Sequence, residues 1–428
     1  MTTTITLPGG PSSPRVVQAA RLLANRNGTM HKLRDKYGTA FTVRTYSLGP
    51  VVMLADPGEV RQLFMAGTDD VDKSDVNLGS VLGAESFFAI RGDEHRRQRK
   101  LLTPPFHGRR LRAYESLMEE ETVREMRTWP QGREFAVMPS MMRITLNIIL
   151  RAVFGADGAE QEALRGLLPR LVRVASMLAV APIPKTKYGP WGYFRKLRDQ
   201  YDVVVDKLID QAMREEKDGT LEKRDDILAL LVQARYDDGD RMTRQQIRDQ
   251  LLGLLAAGHE TTATTLAWAV ERMRRHPEIM ARLDAHEPEL LDATIIETQR
   301  VRPVIEMTAR QIQAETYELG RWVLPRGTVA AACIALLHDD PALFPDPLTF
   351  KPDRFIGAKP DTYGWIPFGG GVRRCIGAAF ATMEMNVVLS TLIRDFAVVA
   401  TTAPGERRFN RGIAVAPARG GRAVVHRK

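Results

Sequence analysis

The sequence predicts a mainly α protein with a small β region, folded as a single domain over residues 1–428. Helical hydrophobic patterns cover most of the chain before Pro303, and one of them continues from residue 243 to residue 275. Short apolar runs with turns at Gly320 and Gly327 follow, which is typical of strands. No internal repeat or low-complexity linker separates these parts, so we expect one domain.

Composition limits the class of protein. With 428 residues, of which 44% are hydrophobic, the chain is long enough for a large core. Its two cysteines exclude a disulfide framework, and Cys333 lies in an apolar run that predicts buried core. The N-terminus has no charged region followed by an apolar one, and no stretch reaches ~18 uninterrupted apolar residues. We therefore expect a cytoplasmic protein without stable membrane insertion, in which residues 1–14 form a flexible lead-in.

The formal charge of +9 is concentrated in two segments, residues 91–112 and residues 401–428. No zinc module or RNA-binding aromatic motif accompanies this charge, which argues against nucleic acid as the partner. An acidic protein partner or bound carboxylates fit better. The basic residues are Arg91, Arg96, Arg97, Arg99, Lys100, Arg109, Arg110 and Arg112 in the first segment, and Arg407, Arg408, Arg411, Arg419, Arg422, Arg427 and Lys428 in the second.

The first hundred residues combine helix and strand patterns. A helix predicted over 15–36 has an apolar face formed by Val16, Ala19, Leu22 and Leu23. The remaining elements predicted here are a β-hairpin over 40–45 and 51–55, a helix over 57–65, irregular structure over 70–90, and a basic helix over 93–102 with His95 and Arg99 four apart on one face.

The rest of the chain is mostly a succession of helices. The aromatic segment 179–194 between two of them is either a mobile lid over a pocket or an ordinary packed loop. Helices are predicted over 109–128, 138–155, 160–178, 190–217, 224–236, 243–275, 277–286 and 289–302, strands over 304–308, 317–319, 322–324 and 329–332, then a Pro-rich meander over 346–355 and a final hairpin over 409–425.

The long helix has a weak centre. Thr243 and Gln246 form a capping-box pattern at its start. Its middle, residues 256–265, contains a glycine and β-branched threonines whose hydroxyls can bond the carbonyl four residues earlier, which favours a local widening or kink. A carboxylate beside a hydroxyl there, Glu260 next to Thr261, is suited to delivering protons; a solvated Glu with packing threonines is the alternative.

The glycine-rich stretch 368–377 holds the other cysteine, Cys375, just before an apolar helix. The pattern fits a buried cysteine or a thiolate at a helix N-terminus, where the helix dipole lowers the pKa of the thiol. Zinc, a protease-type nucleophile and an iron–sulfur cluster each need Cys or His partners that are missing nearby. An axial thiolate on haem iron remains, and it predicts cations for two propionates, such as Arg373 and the basic segment 91–112, and a proton-delivery group such as Glu260 with Thr261.

Several separated motifs resemble those of the cytochromes P-450, the haem-thiolate monooxygenases, in the same order along the chain. Phe368-x-x-Gly371-x-Arg373-x-Cys375-x-Gly377 resembles the haem-binding loop. The other matching motifs are Ala257-Gly258-His259-Glu260-Thr261-Thr262 for oxygen activation, Glu297-x-x-Arg300 with the meander Phe350-x-Pro352-x-Arg354-Phe355 for a buried triad, and His95-x-x-x-Arg99 for propionate binding.

The resemblance implies a P-450 fold with a long central helix over a buried haem b, and a role for each matched residue. Cys375 is then the axial iron ligand, and Glu260 with Thr261 relays protons to O2. Cofactor-binding residues are implied at His95, Arg99, Arg310 and Arg373 for the propionates, at Phe368, Gly371 and Gly377 around the sulfur and porphyrin, and at Ala257 and Gly258 beside the O2 site.

The resemblance also implies partners. The reaction inserts one atom of O2 into a hydrophobic small molecule, with electrons from an acidic ferredoxin or flavodoxin and its reductase that docks near Arg96, Arg97 and Lys100. A peroxide-driven hydroxylase and a haem-binding sensor or carrier without turnover are the alternatives, and the Glu260–Thr261 pair argues against both. Substrate walls are expected within 70–90, 165–195, 249–261, 304–307 and 413–415, where Glu306 either binds a polar group of the substrate or points into solvent.

Overall fold

The computed structural model describes residues 4–45, 48–74, 78–155, 158–180 and 183–428, except the side chains of Arg109 and Val180. Within these ranges the fold is mainly helical. The α-helices are α1 Arg15–Ala24, α2 Arg26–Tyr37, α3 Pro57–Met65, α4 Leu78–Leu82, α5 Gly92–Leu102, α6 Gly108–Ala113, α7 Glu115–Met126, α8 Met138–Phe154, α9 Ala159–Val180, α10 Gly189–Lys217, α11 Ile227–Gln233, α12 Arg244–Met273, α13 Pro277–Asp284, α14 Leu290–Val301, α15 Ile334–His338 and α16 Ala378–Asp395.

Among the described residues, the β region consists of one five-stranded sheet and four two-stranded pairs. The strands are β1 Ala40–Thr45, β2 Gly49–Leu54, β3 Val71–Lys73, β4 Phe135–Ala136, β5 Thr308–Ile312, β6 Thr316–Leu319, β7 Trp322–Pro325, β8 Val329–Ala332, β9 Phe396–Val398, β10 Arg408–Arg411, β11 Ala414–Pro417, β12 Arg422–Ala423 and β13 Val425–Arg427. The large sheet has the order β1-β2-β8-β5-β3, and the pairs are β10-β11, β12-β4, β13-β9 and β6-β7.

The large sheet brings three strands from the first hundred residues next to two strands from residues 308–332. β1 and β2 form the predicted antiparallel hairpin, and β2 runs parallel to β8 with Val51 opposite Val329. Cys333, directly after β8, is buried as predicted, and burial raises the pKa of its thiol to about 12. The strand expected over 304–308 is wrong, because the paired residues are Thr308–Ile312.

The N-terminal helix prediction is also wrong. Asn25 interrupts the segment 15–36, and its side chain accepts a hydrogen bond from the Gly28 N–H, which caps α2. Only half of the expected apolar face of α1 is buried: Ala19 and Leu22 are half-buried, whereas Val16 and Leu23 are exposed. Gln18 is buried and donates to the carbonyls of Pro11 and Ser13. These bonds tie α1 to the lead-in, which also pairs through Thr6 with Val323.

Two further segments differ from the sequence prediction. The irregular region 70–90 contains β3 and α4, although residues 75–77 lie outside the described part. The helix expected over 109–128 is divided at Tyr114, whose ring packs at 5.4 Å against Phe380 of α16. The ring of Phe106, just before α6, also packs on Phe380, with the two ring centroids 5.9 Å apart. Helix α6 therefore lies beside the beginning of α16.

The long helix α12 is the centre of the helical core. Its predicted capping box is present, with Thr243 and Gln246 bonded to each other reciprocally. The helix continues unbroken to Met273, about 45 Å at 1.5 Å per residue, and packs against α8, α14 and α16. The hydroxyls of Thr261, Thr264 and Thr265 donate to the carbonyls four residues earlier, at 2.8, 2.7 and 3.1 Å.

Candidate functional site

The loop before α16 folds back on itself and presents Cys375. The Cys375 N–H donates to the Phe368 carbonyl at 2.9 Å, while Gly369 and Gly371 adopt left-handed φ angles of 64°. A Cβ on Gly371 would lie 2.1 Å from the Phe64 carbonyl oxygen, so glycine is required there by packing against α3. A Cβ on Gly377 would meet open space, which leaves room for a planar group beside the loop.

The Cys375 side chain is accessible, yet protein surrounds the sulfur. Burial raises the pKa of the thiol, opposed by a hydrogen bond from the Gly377 N–H and by the charges of Arg99 and Arg374. The chain by itself therefore does not give the Cys375 thiol the lowered pKa expected at a helix N-terminus. Both observations fit a side chain that faces an opening inside the protein rather than bulk solvent.

Helix α5 places His95 and Arg99 near the cysteine loop. Arg99 donates to the Arg374 carbonyl at 2.7 Å. His95 is 1% exposed, and neither ring nitrogen has a hydrogen-bond partner among the described residues. Burial, with the charges of Arg373 and Arg99, lowers the pKa of His95 to about 3. The ring is thus a buried, neutral group with unused polar atoms.

Two more arginines complete this cationic cluster. Buried Arg310 on β5 donates to the Gly370 carbonyl at 3.0 Å, and burial with the charge of Arg373 lowers its pKa to about 10. Arg373 forms an ion pair with Asp72 of β3 at 2.6 Å and donates to the carbonyls of Phe87 and Ile90. Sequence analysis missed Asp72, since the strand that carries it was expected to be irregular.

Helix α12 has an opening at its centre. Ala256, Ala257, Gly258 and Thr261 are partly exposed in a stretch that is otherwise buried on both sides. Accessible atoms in this buried part of the helix leave space beside it, and the O2-site role of Ala257 and Gly258 stays a prediction. A Cβ on Gly258 would lie 3.3 Å from Ile149 of α8, so this glycine also serves close helix packing.

The predicted proton-relay carboxylate has a partner that the sequence did not reveal. Arg411, at the end of β10, donates from Nε to Glu260 Oε1 at 3.2 Å. Burial raises the pKa of Glu260, and the charges of Arg411 and Arg173 oppose that rise. The next residue, Gly412, is pressed against Ser176 of α9, where a Cβ would meet backbone at 2.9 Å. The β10–β11 turn therefore holds Arg411 against the long helix.

A second buried carboxylate lies between α12 and α16. Glu384 is 1% exposed, and its Oε1 atom has no hydrogen-bond partner in the described structure. Burial raises its pKa well above the usual value, and a hydrogen bond with the Thr262 side chain opposes this. An acid inside the apolar pattern of α16 was the signal in the sequence. It joins the helix after Cys375 to the helix carrying Glu260 and Thr261.

One sequence expectation about a charged residue changes, and three basic residues prove to have carboxylate partners. Glu306 neither points into solvent nor stands free, because it is buried and pairs with Arg26 at 3.4 Å and Arg408 at 3.3 Å. The cations expected to receive a redox partner are already neutralised. Arg97 pairs with Asp238 at 2.5 Å, Lys100 with Asp237 at 2.6 Å, and Arg96 with Asp93.

The predicted buried triad has formed. Arg300 makes two bonds to the Glu297 carboxylate at 2.7 and 2.8 Å, and Arg354 reaches the same carboxylate at 3.2 Å. Arg300 also donates to the carbonyls of His338 and Pro347. The triad therefore fastens the meander to α14.

The described residues fit haem. In the cluster of His95, Arg99, Arg310 and Arg373, the three arginines carry more positive charge than Asp72 balances. Both ring nitrogens of His95 lack a hydrogen-bond partner among the described residues. Anionic propionates of a bound haem would supply the missing charge and acceptors. An accessible cysteine surrounded by protein and an opening in the centre of α12 offer the two faces that a haem requires.

Comparisons with known proteins agree with this geometry. The family model for Cytochrome P450 matches residues 8–420, and the chain belongs to that family. It is therefore a haem monooxygenase. The sequence motifs predicted the same class of protein.

Several curated relatives come from mycobacteria. The chain is 48% identical over 431 residues to proteins named cytochrome P450 138 in Mycobacterium tuberculosis and Mycobacterium bovis, covering 99% of this chain and 97% of the relative. It is 36% identical over 439 residues to cytochrome P450 135B1 of Mycobacterium tuberculosis, covering 99% and 92%.

Solved structures share the fold. Retinoic acid-bound cyanobacterial CYP120A1 has a TM-score of 0.86 at 22% identity, covering 99% of this chain and 100% of that one. The cytochrome P450DA heme domain has a TM-score of 0.84 at 20% identity, covering 99% and 98%. Among the described residues, no helix is long and apolar enough to cross a membrane.

Proposed function

We propose that this protein is a cytoplasmic monooxygenase that holds haem b through Cys375 and inserts one oxygen atom into a hydrophobic small molecule. The observation that carries the proposal is the cationic cluster gathered around an accessible, protein-surrounded cysteine. The bound haem supplies O2 activation at its iron, and thiolate ligation favours O–O cleavage.

Each residue of the cluster has a proposed task. His95 and Arg99 donate to the propionates from α5, and Arg310 adds a buried positive charge from β5. Four of the five N–H donors of Arg373 go to Asp72 and to two carbonyls. Its proposed task is to set the positive field beside the propionates and to brace the loop. Phe368 shields the sulfur, and Gly371 and Gly377 allow close approach.

Proton delivery falls to α12. Glu260 is the proposed acid, and Thr261, one residue further on, orients the proton toward O2 beside Ala257 and Gly258. Arg411 holds the Glu260 carboxylate on the side of the β10–β11 turn, and must release it for each proton transferred. Burial raises the pKa of Glu260, which makes its carboxyl better suited to act as an acid than an exposed glutamate.

The substrate wall is proposed from apolar residues next to α12. Phe87 and Phe88 stack with their ring centroids 4.1 Å apart, and both lie close to Gly253. Ile413 follows the turn that carries Arg411, and residues 304–307 lead into β5. Within the expected wall 165–195, residues 181–182 lie outside the described part, as do residues 75–77 within 70–90.

The electron donor is proposed to be an acidic ferredoxin or flavodoxin with its reductase. Because Arg96, Arg97 and Lys100 have carboxylate partners, the proposed docking surface consists of Arg110, Arg112 and Arg374, which are exposed. Arg374 adjoins Cys375, and α6, which carries the other two, lies beside the start of α16. Docking there brings the carrier to the sulfur side of the haem.

The test is substrate turnover with defined oxidants. A library of lipids, sterols, terpenoids and drugs is titrated against the haem spin state, and hits are incubated with O2, NADPH and a ferredoxin system, or with peroxide alone. We expect product that depends on O2 and the carrier. Product with peroxide but none with O2 and the carrier would identify a peroxide-driven hydroxylase instead. Binding without product under either condition would identify a sensor or carrier.

The relay has its own test. Thr261→Ala is expected to keep haem and substrate binding while diverting electrons to hydrogen peroxide, because the proton no longer reaches the outer oxygen. Product and peroxide are measured per NADPH consumed. Thr265→Ala is the matched control, since Thr265 makes the same bond to a carbonyl one turn further along α12. Unchanged coupling of electrons to product in Thr261→Ala would refute the relay.

A further inference from the structure

A cleft of about 270 Å³ lies outside the site described above. It is bordered by α2, the end of α14, the segment after α15 and the beginning of β10. Its charged and polar walls are formed by Asn27, Arg302, Asp339, Glu406, Arg407 and Arg408. Three of these belong to the basic C-terminal segment or adjoin it, a feature of the sequence that monooxygenase chemistry leaves unexplained.

Both carboxylates in the cleft are already engaged. Asp339 Oδ2 lies 3.1 Å from His31 Nε2. The Glu406 carboxylate is buried and accepts backbone N–H bonds from Arg419 at 2.7 Å and from Arg422 at 2.8 Å. Neither forms an ion pair within 4.0 Å with an arginine of the cleft among the described residues. The two acids are therefore held by their own neighbours, and Asp339 attracts Arg302 only through space, without an ion pair.

The arginines are less well satisfied. Arg302 donates from Nη1 to the Val301 carbonyl at 2.8 Å, but its Nε is buried with no partner among the described residues. Burial, with repulsion from Arg272 and Arg408, lowers the pKa of Arg302 to about 9. Arg407 is exposed, and in the described part of the chain it has no carboxylate partner. Arg408 donates from Nη2 to the Val301 carbonyl at 3.0 Å and shares one carboxylate, Glu306, with Arg26.

An acceptor in the same cleft is also unused. Asn27 Oδ1 is buried and lacks a hydrogen-bond partner among the described residues. A buried donor and a buried acceptor left unpaired at one place are each unfavourable, and one ligand could satisfy both. That ligand carries anionic oxygens for the guanidinium groups and an O–H group for Asn27. The cleft is several times the roughly 30 Å³ share of a water molecule, so a small polyatomic anion fits.

We propose that this cleft binds a small hydroxylated oxyanion, a hydrogen phosphate or a hydroxycarboxylate, gripped by Arg302, Arg407 and Arg408 and donating its hydroxyl to Asn27. Guanidinium groups suit this ligand because their planar donors match the paired oxygens of phosphate and carboxylate. Arg408 links the site to Glu306 and lies on the strand that ends in Arg411, so the ligand sits at the base of the β10–β11 hairpin.

The experiment is calorimetric titration of the haem-loaded full chain with inorganic phosphate and with malate, at constant ionic strength in sodium chloride. We expect one-to-one saturable binding of at least one of them, and the tighter ligand identifies the source of the oxyanion. Arg302→Gln and Arg407→Gln are each expected to weaken binding roughly tenfold or more. The matched control Arg326→Gln removes the same charge from an exposed position outside the cleft and should bind normally.

Four results would overturn the proposal. The first is that neither ligand gives saturable heat, and the second is that Arg407→Gln binds with unchanged affinity. The third is that Arg326→Gln loses as much affinity as the cleft variants. The fourth, where malate is the ligand, is that succinate binds as tightly as malate. Arg407 is exposed, so its variant decides the outcome even if Arg302→Gln fails to fold. Succinate lacks only the hydroxyl of malate, so that comparison tests Asn27 directly.

Discussion

Two buried groups of charges in this protein differ in how completely they are satisfied. In the Glu297–Arg300–Arg354 triad, the carboxylate accepts from both guanidinium groups and from the Lys351 N–H, and Arg300 fills its other donors with carbonyls. The cationic cluster of His95, Arg99, Arg310 and Arg373 has one carboxylate, Asp72, and leaves both nitrogens of His95 without partners.

The difference separates a structural network from a binding site. Glu297 and Arg300 are satisfied within the chain, and a single donor of the triad, Nη2 of Arg354, lacks a partner among the described residues, so the role of the triad is to hold the meander in place. The cluster is incomplete within the chain, because buried positive charge and unused polar atoms need an anion from outside. The triad should therefore control folding, while the cluster should control cofactor binding.

The largest expected effect is removal of the triad carboxylate. Glu297→Ala leaves two buried guanidinium groups unpaired, and should lower the free energy of unfolding by about 3–5 kcal/mol. Denaturant unfolding of the haem-loaded protein measures it. The control is Glu119→Ala, which breaks an exposed pair with Arg394 and should change stability by about 0–1 kcal/mol. A similar small loss in both variants would contradict the account of the triad.

The cluster should show the opposite behaviour in apo and haem-loaded protein. His95→Phe removes two unsatisfied polar atoms, and should raise the free energy of unfolding of the apoprotein by about 1–3 kcal/mol. The same change should speed haem loss roughly tenfold, because a propionate partner is gone. Haem transfer to apomyoglobin measures that rate. Destabilisation of both forms would place His95 with the triad, as a structural residue.

The pH dependence of the apoprotein sharpens the comparison. His95 has a folded pKa of about 3 against an ordinary 6.5, so between these values the unfolded chain binds more protons and stability falls as pH decreases. The slope contributed is at most about 1.4 kcal/mol per pH unit. His95→Phe should remove this contribution from unfolding curves measured at several pH values.

His338 provides the matched comparison, since its pKa is also lowered to about 3 but its Nε2 accepts from the Ile366 N–H. Haem loading should shrink the His95 contribution, because a propionate stabilises the charged ring, and leave that of His338 unchanged. An equal pH slope in wild type and His95→Phe apoprotein would contradict the assignment.

The smallest expected effects on stability and on redox-partner binding come from surface charges. One of these charges has a carboxylate partner, and the other belongs to the proposed docking surface. Lys100→Gln breaks an exposed pair with Asp237, and should change stability by about 0–1 kcal/mol and leave the KM for ferredoxin unaltered. Arg112→Gln removes an exposed charge of the proposed docking surface, and should raise that KM, more so at low salt. Equal effects of the two variants on KM would refute this placement of the redox partner.

Sequence patterns predicted much of this molecule because their physical causes are local. The capping box of Thr243 and Gln246, the hairpin of β1 and β2, and the buried run around Cys333 depend on neighbours in the chain. The Glu297 triad was predicted only through the family resemblance, and it has formed as expected.

What the sequence could not predict depends on distant contacts. Asp72 meets Arg373, Arg411 meets Glu260, and the Asp237–Asp238 turn neutralises the basic helix, each across more than a hundred residues. No local pattern encodes such pairings. The break at Asn25 was missed for another reason, since the predicted helix was extended past its last apolar residue, Leu23, through a residue whose side chain caps the next helix.

The central claim is that Cys375 is the ligand of a haem held by the cationic cluster. The most direct measurement is the absorption spectrum of the reduced, CO-treated protein, recorded for wild type and for Cys375→His. We predict the red-shifted Soret band of thiolate ligation in wild type, and retained haem without that shift in the variant. Absence of the red-shifted band in wild type, or its persistence in Cys375→His, would contradict the claim.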